Sequence, residues 1–254
     1  MERQNLALSK EDREFHEWIR KFYDKKPVNV SNRDYEYYRW FSTPIKRRQY
    51  KFSTLSLLYH LRGVNFKRCL DIGCGTGTWT KLLIDKYPKS KFICIDISNE
   101  MIKQFRKKIK FNKVKTKVIS FFEFQAKKKF DFVFSSRAVE YIPNKQLVIK
   151  KIYDFMESGG NGMIITSHPH PKIIAIKKLL GKKINKQHTK RIHVKEMNKL
   201  LKSQGFVDIS FYPILFGDFK LIPTSFLFYN LYKKKWGFFS KMFATGYIVK
   251  FKKP

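Results

Sequence analysis

The chain has 254 residues, 43% of them hydrophobic, enough to bury one substantial core, and the length fits one elaborated α/β unit better than two equal domains. No apolar run approaches the roughly 18 residues of a spanning helix, the first residues are charged rather than leader-like, and the three cysteines form no CxxC pair, so a membrane span, a disulfide framework and a zinc site are set aside and a cytoplasmic protein is expected. The formal charge of +34, from 54 Lys and Arg against 20 Asp and Glu, leaves two readings: attraction of nucleic acid or an anionic bilayer, or compositional drift toward lysine over the whole chain.

Residues 1–62 read as a helical cap outside the sheet pattern of a core spanning 63–254. Ser9 and Asp12 resemble a capping box that opens a helix carrying Phe15, Trp18, Ile19 and Phe22, and Pro27 ends it. Aromatic stretches follow at 35–41 and 50–61, with Thr43-Pro44 as a helix start between them; a layer this aromatic covers something.

From Arg68 onward short β-rich runs alternate with helical stretches, the signature of βαβ units and a mostly parallel sheet. Strands are expected at 68–72, 91–96, 116–120, 130–136 and 163–167. Helices are expected after 77, from an Asn99 cap, and over 144–157, where Ser158-Gly159-Gly160-Asn161-Gly162 breaks the chain. A basic helix to Gly181, a polar loop at 182–191, a helix over 194–204 and strands near 206–212 and 244–253 complete the pattern. Residues 213–243, aromatic and lysine-rich, read either as a lid over the site or as an interfacial segment at an anionic membrane.

The chemistry centres on residues 69–80, a strand, a glycine loop and a helix start. Gly73, Gly75 and Gly77 let the backbone turn sharply and approach a ligand, and the following helix points free N–H groups at the same spot. A dinucleotide fingerprint would place a third glycine at Thr78. The spacing here is G-x-G-x-G, with Asp71 two residues before it, and an acid there repels a pyrophosphate but attracts a cation. Asp96, at the tip of the second strand, can accept hydrogen bonds from both hydroxyls of a ribose. The combination points to S-adenosyl-L-methionine, which carries an ammonium and a sulfonium and no phosphate.

With these residues the sequence resembles the class I S-adenosylmethionine-dependent methyltransferases, in particular the group acting on small molecules and lipids that includes quinone methyltransferases. LDIGCGTG (70–77), CIDIS (94–98), FDFVFSSRAVEYI (130–142) and the glycine-rich turn before the fifth strand follow the family's motif order. The resemblance implies a Rossmann-like, seven-stranded, mostly parallel sheet with helices on both faces. It also implies that Gly73, Cys74, Gly75 and Gly77 pass the methionine portion over their backbone, that Asp71 holds its ammonium, and that Asp96 takes the ribose. Ile97 and Met101 would pack near the adenine, Ser120 and Phe121 would lie at the base, and Ser135 and Ser136 at the methionine end.

Methyl transfer to an activated sulfonium is mostly a matter of alignment, and a base is needed only for a poor nucleophile. His168 is the first candidate for that base, then His170 and His193, although each lone histidine is better accounted for as structural or merely exposed. No metal is expected, because Pro169 splays the two histidines beside it. The acceptor classes are a small molecule or a lipid-linked molecule, with RNA as the alternative that the basic surface keeps open. A non-catalytic module that only binds the cofactor is a further alternative.

Overall fold

The computed structural model describes residues 8–25, 35–169, 179, 190–214, 231–237, 240 and 244–254. Helix α1 (Lys10–Lys25) opens as the sequence predicts, with the Asp12 amide donating to Ser9 Oγ at 3.1 Å, and buries Phe15 and Ile19. Pro27, His170, most of the expected loop at 182–191, most of the basic helix before Gly181 and most of the 213–243 segment lie outside the described residues. A π-helical turn (Tyr37–Phe41) precedes α2 (Pro44–His60), whose cap is Thr43: its hydroxyl accepts from the Lys46 amide, and Pro44 takes the first helical position, where its missing N–H costs nothing.

The sheet has seven strands in the order β3-β2-β1-β4-β5-β7-β6. They are β1 (Arg68–Ile72), β2 (Lys91–Asp96), β3 (Val114–Val118), β4 (Phe130–Ser136), β5 (Met156–Ser167), β6 (Val207–Ile214) and β7 (Gly246–Lys252). The first five pair in parallel, while β7 runs antiparallel to both β5 and β6 and separates them. Helices α3 (Thr78–Lys86), α4 (Asn99–Lys108), α5 (Lys145–Phe155) and α6 (Val194–Ser203) supply the crossovers. This is the Rossmann-like doubly wound sheet that the motif order implies.

Because side chains alternate across a strand, β1 sends Leu70 and Ile72 into one core and Cys69 into another. The first core takes Val148, Ile149 and Ile152 of α5 and Met197 and Leu201 of α6; the second takes Leu57 of α2, Leu83 and Ile84 of α3 and Phe105 of α4. Burial on both faces is why the central strands read as continuous apolar runs.

Three local expectations shift. The cap of α4 is Ser98, whose hydroxyl accepts from the Met101 amide at 3.2 Å, and Asn99 is the first helical residue. Strand β3 lies two residues earlier than expected. The glycine-rich run at 158–162 does not end before a separate strand but forms an irregularity inside β5, between the Phe130–Met156 and Phe132–Asn161 pairs. Gly162 is there because the Phe251 ring of β7 lies over it, 2.0 Å from where a Cβ would stand.

Candidate active site

The loop after β1 is held by its neighbours before any ligand is considered. The amides of Gly73 and Cys74 donate to the carbonyl of Ile95 at 2.8 and 3.1 Å, and the amide of Gly75 donates to Asp96 Oδ2 at 2.8 Å. The other Asp96 oxygen accepts from the Ser98 amide at 2.9 Å, so one carboxylate ties the glycine loop to the start of α4. Gly75 has φ +55°, and nothing stands within 4 Å of where its Cβ would be, so the backbone there is open to close approach.

Asp71 is buried and accepts a hydrogen bond from Thr80 Oγ1 at 2.6 Å. Burial pushes its pKa up to about 7, the Thr80 hydroxyl opposing and Asp96 adding to the rise. Burial likewise raises Asp96 to about 6 against the amides of Ser98 and Gly75. Two neighbouring carboxyls with raised pKa values are set up to receive positive charge.

A cavity of about 260 Å³ opens beside these groups. Asp71, Gly73, Cys74, Gly75, Asp96, Ile97, Met101, Phe121 and Ser136 line it. Gly77 does not: it caps α3 with φ +88°, and a Cβ there would meet Ile109 at 2.5 Å. Ser135 is fully buried and donates to the Ile72 carbonyl at 2.8 Å, pinning β4 to β1. Ser120 shapes the turn after β3, its Oγ accepting from the Phe122 amide at 3.2 Å.

His168 also lies away from the cavity. Its amide continues the β5 pairing by donating to the Thr245 carbonyl at 2.9 Å, which carries the ring beneath Trp236, with centroids 5.1 Å apart, and beside His193 and Tyr247. The histidine that does line the cavity is His16, on α1, whose pKa is lowered by burial. Among the described residues no group of His, Cys, Asp or Glu is arranged to hold a metal ion.

The other wall comes largely from N-terminal segments that no local motif announces. His16, Ile19 and Tyr23 of α1 and Tyr35, Glu36, Arg39 and Trp40 before α2 face Arg137, Ala138 and Tyr141 after β4. Glu36 accepts a hydrogen bond from Thr76 Oγ1, and Asp24 at the end of α1 accepts from Ser98 Oγ at 2.8 Å. The N-terminal segments are thereby fixed to the same glycine loop and α4 cap that form the floor. The sequence signal for its N-terminal part is the density of aromatics before residue 62.

A protein family described as a methyltransferase domain matches residues 65–208, more than half of the chain. The chain belongs to that family. Among relatives of this chain, a malonyl-[acyl-carrier protein] O-methyltransferase of Ilyobacter polytropus is 34% identical over 92 residues, 36% of each chain. A trans-aconitate 2-methyltransferase of Rhodopseudomonas palustris is 26% identical over 94 residues, 37% of this chain and 36% of its own. The matched stretch thus spans about a third of these curated relatives' length. The N-methyltransferase NodS of Bradyrhizobium japonicum, solved with S-adenosyl-L-homocysteine, shares the fold with a TM-score of 0.59 at 12% identity, covering 92% of this chain and 98% of that one.

S-adenosyl-L-methionine is the cofactor of class I methyltransferases, and the residues lining this cavity fit it. Thr78 Oγ1 and Ser136 Oγ are buried at its wall without a hydrogen-bond partner among the described residues, so two polar atoms await a ligand. Asp71 would hold the ammonium, Gly73–Gly75 the methionine backbone and Asp96 the ribose, with Ile97 and Met101 as apolar packing near the base.

Proposed function

We propose that the protein transfers a methyl group from S-adenosylmethionine to a small-molecule or lipid-linked acceptor in the cytoplasm. The cofactor supplies an activated methyl on a sulfonium; the chain's own residues have to bind, orient and exclude water. The observation that carries this reading is a cavity with two different walls. One wall is the glycine loop with Asp71 and Asp96, the other an aromatic and cationic surface from residues 16–23, 35–40 and 137–141. The first wall suits the donor, and the second, partly outside the stretch matched by the family, suits an acceptor of limited size. Residues 1–62 are, on this reading, the cap that carries acceptor choice. The names of the malonyl-carrier and trans-aconitate relatives support an acceptor of this class.

The test is calorimetry of S-adenosylmethionine binding to the wild type and to Asp96→Ala, followed by incubation of cell extract with methyl-labelled cofactor and partition into small-molecule, lipid and nucleic-acid fractions. Label in the first two fractions supports the reading. Label in RNA would replace it with the alternative that the net charge keeps open, binding without turnover would make the protein a cofactor-binding module, and intact binding by Asp96→Ala would reject the site.

A further inference from the structure

At the tip of β4 the chain bends through Arg137, a non-glycine residue with φ +60°, a conformation that L side chains adopt at a cost. Its amide donates to the Ile165 carbonyl at 2.8 Å, and the strain is held by the neighbouring strand. Arg137 lines the cavity, one residue from Ser136 and beside Ala138, which touches Gly73 of the cofactor loop.

The charges around this arginine do not balance. Glu140 is completely buried and accepts from the Ser167 amide at 2.5 Å, Thr166 Oγ1 at 3.1 Å and Ser167 Oγ at 3.3 Å. Arg137 Nη2 stands 3.4 Å from the same carboxylate with its side chain one-fifth exposed. Arg191 is near enough for its charge to act on Glu140, Arg137 and Tyr141 as well. Two guanidiniums, neither of which can give up its proton, therefore share one carboxylate. Moreover, Nε of Arg137 and Nε of Arg191 are both buried and have no hydrogen-bond acceptor among the described residues. A buried cation with an unused donor and excess positive charge is an incomplete site. What completes it is an oxyanion, since the guanidinium fork matches the two oxygens of a carboxylate or phosphate.

We propose that Arg137, supported by Arg191, anchors an acidic group of the acceptor, a carboxylate or phosphate, at the end of the cavity next to the cofactor loop. This deepens the methyltransferase reading and rests on it. The site selects acidic acceptors and disfavours neutral ones of the same shape, which would leave the Arg137 Nε donor unpaired. Glu140 is a positioning residue: it touches no ligand but fixes the arginine and limits the local charge to what one anion neutralises.

The experiment is calorimetric titration of the protein saturated with S-adenosylhomocysteine, using malonate and methylphosphonate as acid probes and malonamide as the neutral counterpart. The wild type is expected to bind at least one acid saturably and malonamide not measurably; preference between the two acids separates carboxylate from phosphate. Arg137→Gln should weaken the acid about tenfold or more while S-adenosylhomocysteine affinity moves less than about threefold, and Arg137→Lys, which keeps charge without the fork, should fall between. Retained S-adenosylhomocysteine binding also shows that each variant is folded. Equal binding of malonamide, no saturable acid binding by the wild type, or an unchanged acid affinity in Arg137→Gln overturns the proposal. So does an equal loss of S-adenosylhomocysteine affinity in Arg137→Gln, which would assign the arginine to the cofactor's own carboxylate. Failure of the wild type to bind S-adenosylhomocysteine at all would sink the methyltransferase reading instead.

Discussion

Gly73 and Ala138 meet across the floor of the cavity, a Cβ on the glycine falling 2.1 Å from the Cβ of the alanine. The contact joins the loop after β1 to the bend after β4, so donor and acceptor walls are registered against each other. Gly73 also has φ +70°. Gly73→Ala is therefore expected to cost about 2–4 kcal/mol, the sum of overpacking and backbone strain, read from urea unfolding midpoints. Adding Ala138→Gly should recover the steric part alone, and a double-mutant cycle separates the two.

The raised pKa values of Asp71 and Asp96 make cofactor binding a proton-linked event. Asp71 must be ionised to hold an ammonium, and below its pKa of about 7 binding has to expel a proton. Affinity is expected to fall as pH drops through 7, by roughly tenfold per unit well below it, with proton release near neutrality. Calorimetry in buffers of different ionisation enthalpy measures both. In the ligand-free protein the sign is opposite for stability: both folded pKa values lie above the ordinary 3.8, so their contribution is complete at low pH and is lost as pH rises toward 6 and 7. Asp71→Asn should remove the Asp71 step and weaken binding by about 10- to 100-fold, the worth of a charge-assisted bond.

Glu140 works in the other direction. Burial opposes its charge, but Arg137, the Ser167 amide and Arg191 outweigh that and hold its pKa down to about 2. Its stabilisation is present above the ordinary 4.5 and is lost as pH falls toward 2. Glu140→Gln leaves two guanidiniums without a counter-charge and is expected to destabilise by about 3–5 kcal/mol. The gap between variant and wild type should narrow at pH 3, as chemical denaturation across pH would show.

At the far end of the sheet, Asp131 accepts from the amides of Lys67 and Arg68 at 2.7 Å each, fastening the start of β1 to β4. Asp131→Ala should cost about 1–3 kcal/mol of stability. Because Asp131 does not line the cavity, cofactor affinity measured on the folded variant should stay unchanged.

The donor half of the site was legible because it is local. Asp71, the glycines and Asp96 lie at strand tips whose spacing reports their geometry, and β1, β2 and β4 are bounded where their apolar runs end. The glycine-rich run at 158–162 misled because Gly162 answers to the Phe251 ring from a strand far along the chain, not to a turn. His168 sits just past a strand tip, where a base is expected, yet one more backbone hydrogen bond turns its ring away. His16, Tyr35 and Arg137 come together in one cavity only through tertiary packing, and no periodicity in any one segment records it.

The position of β7 has a kinetic consequence. Strand β6 pairs only with β7 among the described strands, yet it precedes β7 along the chain. Until β7 is synthesised, β5 exposes one unpaired edge and β6 has nowhere to dock, so the last third of the sheet has to close in one long-range step. An unpaired edge on β5 at that stage is an aggregation hazard.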